Sequence, residues 1–197
     1  KTMSSIKLTA DSGGGTFELK APASSSNTRS FTLPDVASIA TLGGITEFDQ
    51  FFLTASKTDN SDITANLARV SSAIPGAASQ IGTGMTESSG IFSFPTTGKY
   101  FVIVTAEFAI LSADNCIVNT EITTNNSSYS TNARCVDGNN GTGERSGHAT
   151  SFSFIDVTDV SQVKVKFNTQ SIDSGSSLVG AANKAMTSFT FIRVGDT

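Results

Sequence analysis

Apolar residues follow two different regimes along this chain, and the change falls near Glu47. Beyond it, short runs rich in Val, Ile, Phe and Thr succeed one another, separated by Gly, Asn, Asp and Ser, the pattern of β-strands joined by turns. It predicts strands over residues 48–56, 91–94, 99–111, 116–124, 128–136, 148–156, 162–170 and 187–194. An extra extended pair, 63–72 with 80–86, is expected between the first two, although 63–70 also fits one or two helical turns. Many short strands without a sustained 3.6-residue period predict an all-β sandwich or barrel. Eight principal strands suit an antiparallel two-sheet jelly-roll sandwich.

Before Glu47 the apolar residues are sparse. Ser5-Ile6-Lys7-Leu8 alternates, and Phe17-Glu18-Leu19 and Phe31-Thr32-Leu33 repeat one pattern, each followed closely by a proline, Pro22 or Pro34. Proline favours extended backbone on both sides of itself and blocks helix. Such fragments cannot bury a core alone, yet Phe and Leu are out of place in a solvated linker. Residues 1–46 are therefore expected to form an extended N-terminal attachment arm, and 47–197 a separate knob.

The strands treat their two faces differently. Val163, Val165 and Phe167 alternate with Lys164, Lys166 and Asn168, giving one dry and one wet face. Phe51-Phe52-Leu53, Tyr100-Phe101-Val102-Ile103-Val104 and Phe189-Thr190-Phe191-Ile192 are apolar on both. Either these are central strands of a thick single-chain core, or further copies of the chain cover the second face. The second reading predicts a homotrimer with Phe51, Phe52, Phe101, Phe189 and Phe191 at or beside its axis. Alternation lets only one of each neighbouring pair face a partner, and the sequence leaves the register open.

Composition narrows the classes. Charged residues make up 15% of the chain, but 38% are hydrophobic, including 14 Phe, which argues for a real core over disorder. A net charge of −4 without clustered Lys and Arg gives no footprint for nucleic acid. No apolar run approaches the roughly 18 residues of a membrane span, so no membrane insertion is expected, and residues 1–8 lack the apolar stretch of a signal peptide. Cys116 and Cys135 flank a hairpin in which Asn125-Asn126 is a candidate two-residue turn. That register sets the cysteines opposite each other in a hydrogen-bonded pair, the poorer geometry for a bridge.

A chemical site is hard to assemble. His148 is the one histidine, at a strand start, and no Gly-x-Ser-x-Gly elbow accompanies it. One His and two dispersed Cys make a poor zinc set. The carboxylates are scattered, so a glycosidase pair stays open but surface charge is the better account. The glycine-rich stretches 82–84 and 138–143 lack the Lys-Ser/Thr of a phosphate loop. No enzyme, metal or cofactor is expected.

Two resemblances add to this. The run Gly90-Ile91-Phe92-Ser93-Phe94-Pro95-Thr96-Thr97-Gly98-Lys99-Tyr100-Phe101-Val102 resembles the signature of the complement globular-head family, the tumour-necrosis-factor-like trimeric jelly rolls, and Ser188 to Gly195 resembles their closing strand. The likeness covers 47–197 and implies a trimeric jelly roll. The chain departs from the animal proteins in having no collagen-like stem and no clear calcium-ligand cluster. The first 45 or so residues, with Phe17-Glu18-Leu19-Lys20-Ala21-Pro22 and Phe31-Thr32-Leu33-Pro34-Asp35, are similar to leader segments of bacteriophage fibre and appendage proteins.

Together these features lead to the expectation of a phage virion fibre or head appendage, assembled in the host cytoplasm. Residues 1–46 would join other virion proteins, and the knob would touch a host surface glycan or protein. The rivals are a capsid decoration protein without a receptor role, a secreted carbohydrate-binding module and, least supported, a hydrolytic spike. Strand counting puts the long connections 57–90, 137–147 and 171–186 at the end away from the arm. Within 137–146, Asn139, Asn140, Glu144 and Arg145 offer amides and both charge signs for polar recognition.

Overall fold

The computed structural model describes residues 5–9, 16–20, 44–78, 80–111, 113–173 and 175–197. The chain divides into two compact units, Lys1–Leu42 and Gly43–Thr197. In the first, β1 (Ser5–Thr9) and β2 (Thr16–Lys20) pair antiparallel, with Ile6 opposite Leu19 and Leu8 opposite Phe17. The expected third extended piece, at Phe31-Thr32-Leu33, lies outside the described residues.

The second unit runs through β3 (Phe48–Leu53), β4 (Leu67–Arg69), the single turn α1 (Val70–Ala73), β5 (Thr86–Ser88), β6 (Ile91–Ser93), β7 (Gly98–Ile110), β8 (Asp114–Thr123), β9 (Ser130–Asn139), β10 (Arg145–Val157), β11 (Lys164–Gln170), β12 (Ser177–Leu178) and β13 (Ser188–Gly195). They build two antiparallel sheets, one ordered β10-β7-β13-β3-β4 with β12 beside β7, the other β5-β6-β11-β8-β9. This is the expected antiparallel two-sheet jelly-roll sandwich. All eight principal strands stand near their expected positions. The extra pair does not form: β4 pairs with β3, β5 pairs with β6, and α1 follows β4.

The core explains the two-sided apolar strands. In β3 and β13 the register turns Phe51, Phe189 and Phe191 inward, where they meet Phe92 and Phe167 from the other sheet. Phe92 sits 5.1 Å from the rings of both Phe51 and Phe191, and Phe167 stacks on Phe189 at 4.2 Å. Burial of each such side chain contributes about 1.5–3 kcal/mol. Three of the expected axis residues are thus core residues of a single chain. Phe52, on the opposite face of β3, is also fully buried within the chain.

Asp49 adds a buried polar tie. It accepts from Arg69 Nε (2.9 Å) and Nη2 (2.7 Å) and from the backbone N–H of Met85 (2.7 Å). Arg69 in turn donates to the Met85 carbonyl (2.8 Å) and lies 4.8 Å from the Phe51 ring centre. Hydrogen bonding to Asp49 raises the Arg69 pKa. The pair holds its place because removing Arg69 leaves the buried Asp49 carboxylate without its cation.

The β8–β9 hairpin turns over residues 124–129 rather than through a two-residue turn. The Asn125 side-chain oxygen accepts from the N–H groups of Ser127 (3.0 Å) and Ser128 (2.9 Å), forming a wider Asx-capped loop. A register shift at Thr120/Glu121 follows. Cys116 therefore stands opposite Asp137 and Cys135 opposite Val118, so the expected facing pair is not formed, and both are buried free thiols.

The turn motif acquires a physical meaning. Gly90 has φ +82°, and a Cβ there would lie 2.1 Å from the Ile63 carbonyl oxygen. At Gly98, with φ +142°, a Cβ would lie 2.6 Å from the Gly195 carbonyl oxygen. Between them Phe92, Phe94 and Tyr100 enter the core, and the Tyr100 hydroxyl donates to the Thr96 carbonyl at 3.0 Å. Gly90→Ala is expected to destabilise the knob by about 3 kcal/mol, combining left-handed strain with a backbone clash. Chemical denaturation should show an unshifted slope and a lowered midpoint.

Candidate functional site

The outward face of β10-β7-β13-β3 is built by alternation. Odd residues of β7, even residues of β10 and even residues of β13 point away from the core, and the strand register aligns them in rows. One row is Phe154, Phe101, Ile192, Phe48, and the next is Phe152, Ile103, Thr190, Gln50. Phe152 is 64% exposed, Phe154 57% and Phe101 40%, high values for aromatic side chains in a chain with so large a core. The Phe101 and Phe154 rings lie 5.0 Å apart and form one surface. Of the five residues expected at a subunit contact, Phe101 alone is on this surface. Its neighbours Phe152 and Phe154 were not singled out from the sequence, although Phe152-Ser153-Phe154-Ile155 carries the same two-sided pattern as the strands that were.

Charged and polar rows bracket this aromatic band. Beyond it lie Thr150, Thr105 and Ser188, then His148 opposite Glu107, with Nε2 3.3 Å from Oε2. At the other margin stand Asp156 and Lys99.

The outer face of the second sheet has the opposite character. Asn119 donates to Asn168 (2.8 Å) and Gln170 (3.2 Å) and accepts from Arg134 (3.1 Å). Lys166 bridges Asp62 (2.8 Å) and Glu121 (3.2 Å) under the Tyr129 ring. These polar groups satisfy one another at the surface.

The loops gather as strand counting foresees, with one correction. Arg145 at the start of β10 pairs with Ile110 at the end of β7, and Asp114 at the start of β8 pairs with Asn139 at the end of β9. The 140–144 connection, the 171–187 connection and residues 54–66 therefore share one end, opposite the start of β3. Residues 70–78 and 80–85 do not: they return to the other end, where Ile81 and Phe48 exchange backbone hydrogen bonds (3.1 and 2.9 Å). Antiparallel pairing of β4 with β3 forces this return.

At the loop end, the segments are tied to one another. Asn60 donates to the Ile172 carbonyl (3.1 Å) and accepts from its N–H (2.7 Å), and Lys57 and Leu178 exchange backbone bonds at 2.9 Å. Residues 53–66 enclose a polar cleft of about 280 Å³, to which Asp59, Asp62 and Asn66 contribute.

The four proposed contact residues divide into two kinds. Asn139 is buried, donating to the carbonyls of Ile110 (3.1 Å) and Gly143 (2.7 Å) and accepting from Gly141 (2.9 Å). Arg145 holds Asp137 through two bonds (2.8 and 3.3 Å) and reaches the Gly138 carbonyl (2.6 Å). These two clamp the loop, so Asn139 is not a surface contact. Asn140 and Glu144 are exposed. The Arg145 guanidinium holds Asp137 below the usual carboxylate range. The clamp therefore contributes fully above about pH 4 and is lost as pH falls through the lowered folded value.

The remaining candidates do not come together. Burial, with the nearby Asp114 charge, pushes the Cys116 thiol up to about 12, and burial raises Cys135, so neither is a thiolate at neutral pH. Among the described residues no three His, Cys, Asp or Glu side chains are grouped to hold a metal ion, and no helix is long and apolar enough to cross a membrane.

No family model matches the chain, and no curated protein does. Solved structures do. Eiger TNF from S. frugiperda superposes with a TM-score of 0.58 at 13% identity, covering 78% of this chain and 96% of that one. Murine APRIL at pH 5.0 gives 0.54 at 10% identity, covering 75% and 98%. At these identities the likeness is one of fold.

The division of the loop residues is testable. Asn139→Ala should cost about 1–3 kcal/mol, since it strands the buried Ile110 carbonyl and removes the ties to Gly143 and Gly141. Asn140→Ala and Glu144→Ala should stay within about 0.5 kcal/mol of the parent. Thermal unfolding of the three variants reads this difference.

Proposed function

We propose that this is a non-enzymatic virion structural protein of a phage, a trimeric fibre or head appendage whose arm, residues 1–46, joins the particle and whose knob meets the host surface. The exposed aromatic band of Phe101, Phe152 and Phe154 carries the trimer. One face of the sandwich carries an exposed aromatic band and the other a polar network, an asymmetry that fits a protein covered on one side by its own copies. The jelly-roll fold is compatible with that assembly. The leader-like pattern of the arm supports attachment to a particle. Loops tied together at the end opposite the start of β3 support recognition there, because a preorganised surface loses little entropy on binding.

For the trimer, a Phe101→Ser/Phe154→Ser double variant should run as a monomer in light scattering where the parent runs at three times the chain mass. A parent that stays monomeric at micromolar concentration defeats the reading. Its unfolding midpoint, measured as a monomer, should barely move, since these rings lie outside the core.

For host contact, virions carrying Asn140→Ala/Glu144→Ala should adsorb more slowly at unchanged copy number. Unchanged adsorption together with a shell-wide position on the particle would make it a capsid decoration protein instead.

A further inference from the structure

The aromatic band is bounded along the strand direction by charge at both margins, and this constrains how copies can meet. Suppose a threefold axis ran across the strands. The Glu107–His148 row of one copy would then fall over the aromatic band of the next, burying charge unfavourably against apolar surface. An axis running along the strands avoids this, because cyclic symmetry keeps every atom at its own height. Aromatic rows then meet aromatic rows, and the Glu107–His148 rows meet one another. Within a chain the two side chains already lie side by side, Nε2 to Oε2 at 3.3 Å, with His148 on edge strand β10 and Glu107 one strand inward on β7. The His148 side chain is 64% exposed while that of Glu107 is 16% exposed. The histidine thus projects from the edge with one side free, placed to reach a neighbour.

Resting on the trimer reading, we infer that Glu107 and His148 form a closed ring of alternating carboxylate and imidazole around the assembly, each His148 lying between its own Glu107 and that of the adjacent copy. The ring seals the loop-side margin of the aromatic contact and sets the height at which copies align. Thr105, Thr150 and Ser188 separate it from the aromatic rows. Lys99 and Asp156 play the matching part at the opposite margin, where Lys99 also donates to the Asp196 carbonyl (2.8 Å).

The experiment uses two full-length variants, Glu107→Lys and His148→Glu. The first places only cationic or neutral groups in the ring and the second only carboxylates. Each should weaken self-assembly by roughly a hundredfold or more in sedimentation equilibrium, because like charges placed together disfavour a contact strongly. Mixing the two should recover part of the loss in assemblies of three chains containing both variants, detectable by native mass spectrometry, because two of their three contacts then pair opposite charges. Either variant remaining as trimeric as the parent overturns the ring. So does a mixture that stays monomeric while each chain keeps the circular dichroism of the parent, since the effect would then lie within the chain. A monomeric parent fails the trimer reading itself and is distinguishable from every outcome in which only the ring fails.

Discussion

The contact of Phe92 with Phe51, Phe167 and Phe191 is the interaction on which the rest of the molecule depends. It joins the two sheets with rings set edge-on and tilted, the geometries aromatic pairs prefer. It also fixes the register of the first sheet. Once Phe51, Phe189 and Phe191 point inward, period-two alternation sends Phe101, Phe152 and Phe154 outward. The exposed band is therefore a consequence of how the core is satisfied. A one-residue slip in β7 would exchange buried Tyr100 and Val102 for Phe101 and Ile103, which the inter-sheet space is not shaped to receive.

The polar interactions are arranged around that core by cost. Buried Asp49 and half-buried Arg69 are bonded to each other, and they secure the segment that returns from β4 toward β5. The Asn119–Arg134–Gln170 network lies at the surface, where its net worth is small but its saturation leaves little for a partner to bind. The loop end is tied by side-chain-to-backbone bonds such as Asn60 with Ile172 and Asn139 with Ile110. Connections that carry no regular structure keep a defined shape in this way. Stability, solvation and presentation thus fall on separate faces of one sandwich.

Much of this was legible beforehand for local reasons. Strand positions follow from β-branched and aromatic runs punctuated by Gly, Asn and Asp. Pro95 and Gly98 stand out as turn residues in a motif whose positions Phe92, Phe94, Tyr100 and Val102 turn out to be core. The end at which the long loops gather follows from parity alone, because each antiparallel strand reverses direction.

What the linear chain left undecided is what depends on distance across the fold. Phe51-Phe52 and Phe189-Thr190-Phe191 reveal that apolar side chains project both ways but not which way is in, since that is set by rings arriving from Phe92 and Phe167 on the other sheet. Cys116 and Cys135 are equidistant from Asn125-Asn126 in sequence, yet the Asx-capped loop and the shift at Thr120 move them out of register. Asn139 reads as an exposed loop amide until the Ile110 carbonyl, 29 residues away, proves to be its partner. The sequence determined the strands, their order of reversal and the polarity of each segment, because these are properties of neighbours along the chain. The tertiary structure decided facing, register and which polar groups remain free, because each of these is settled by a contact the sequence does not place.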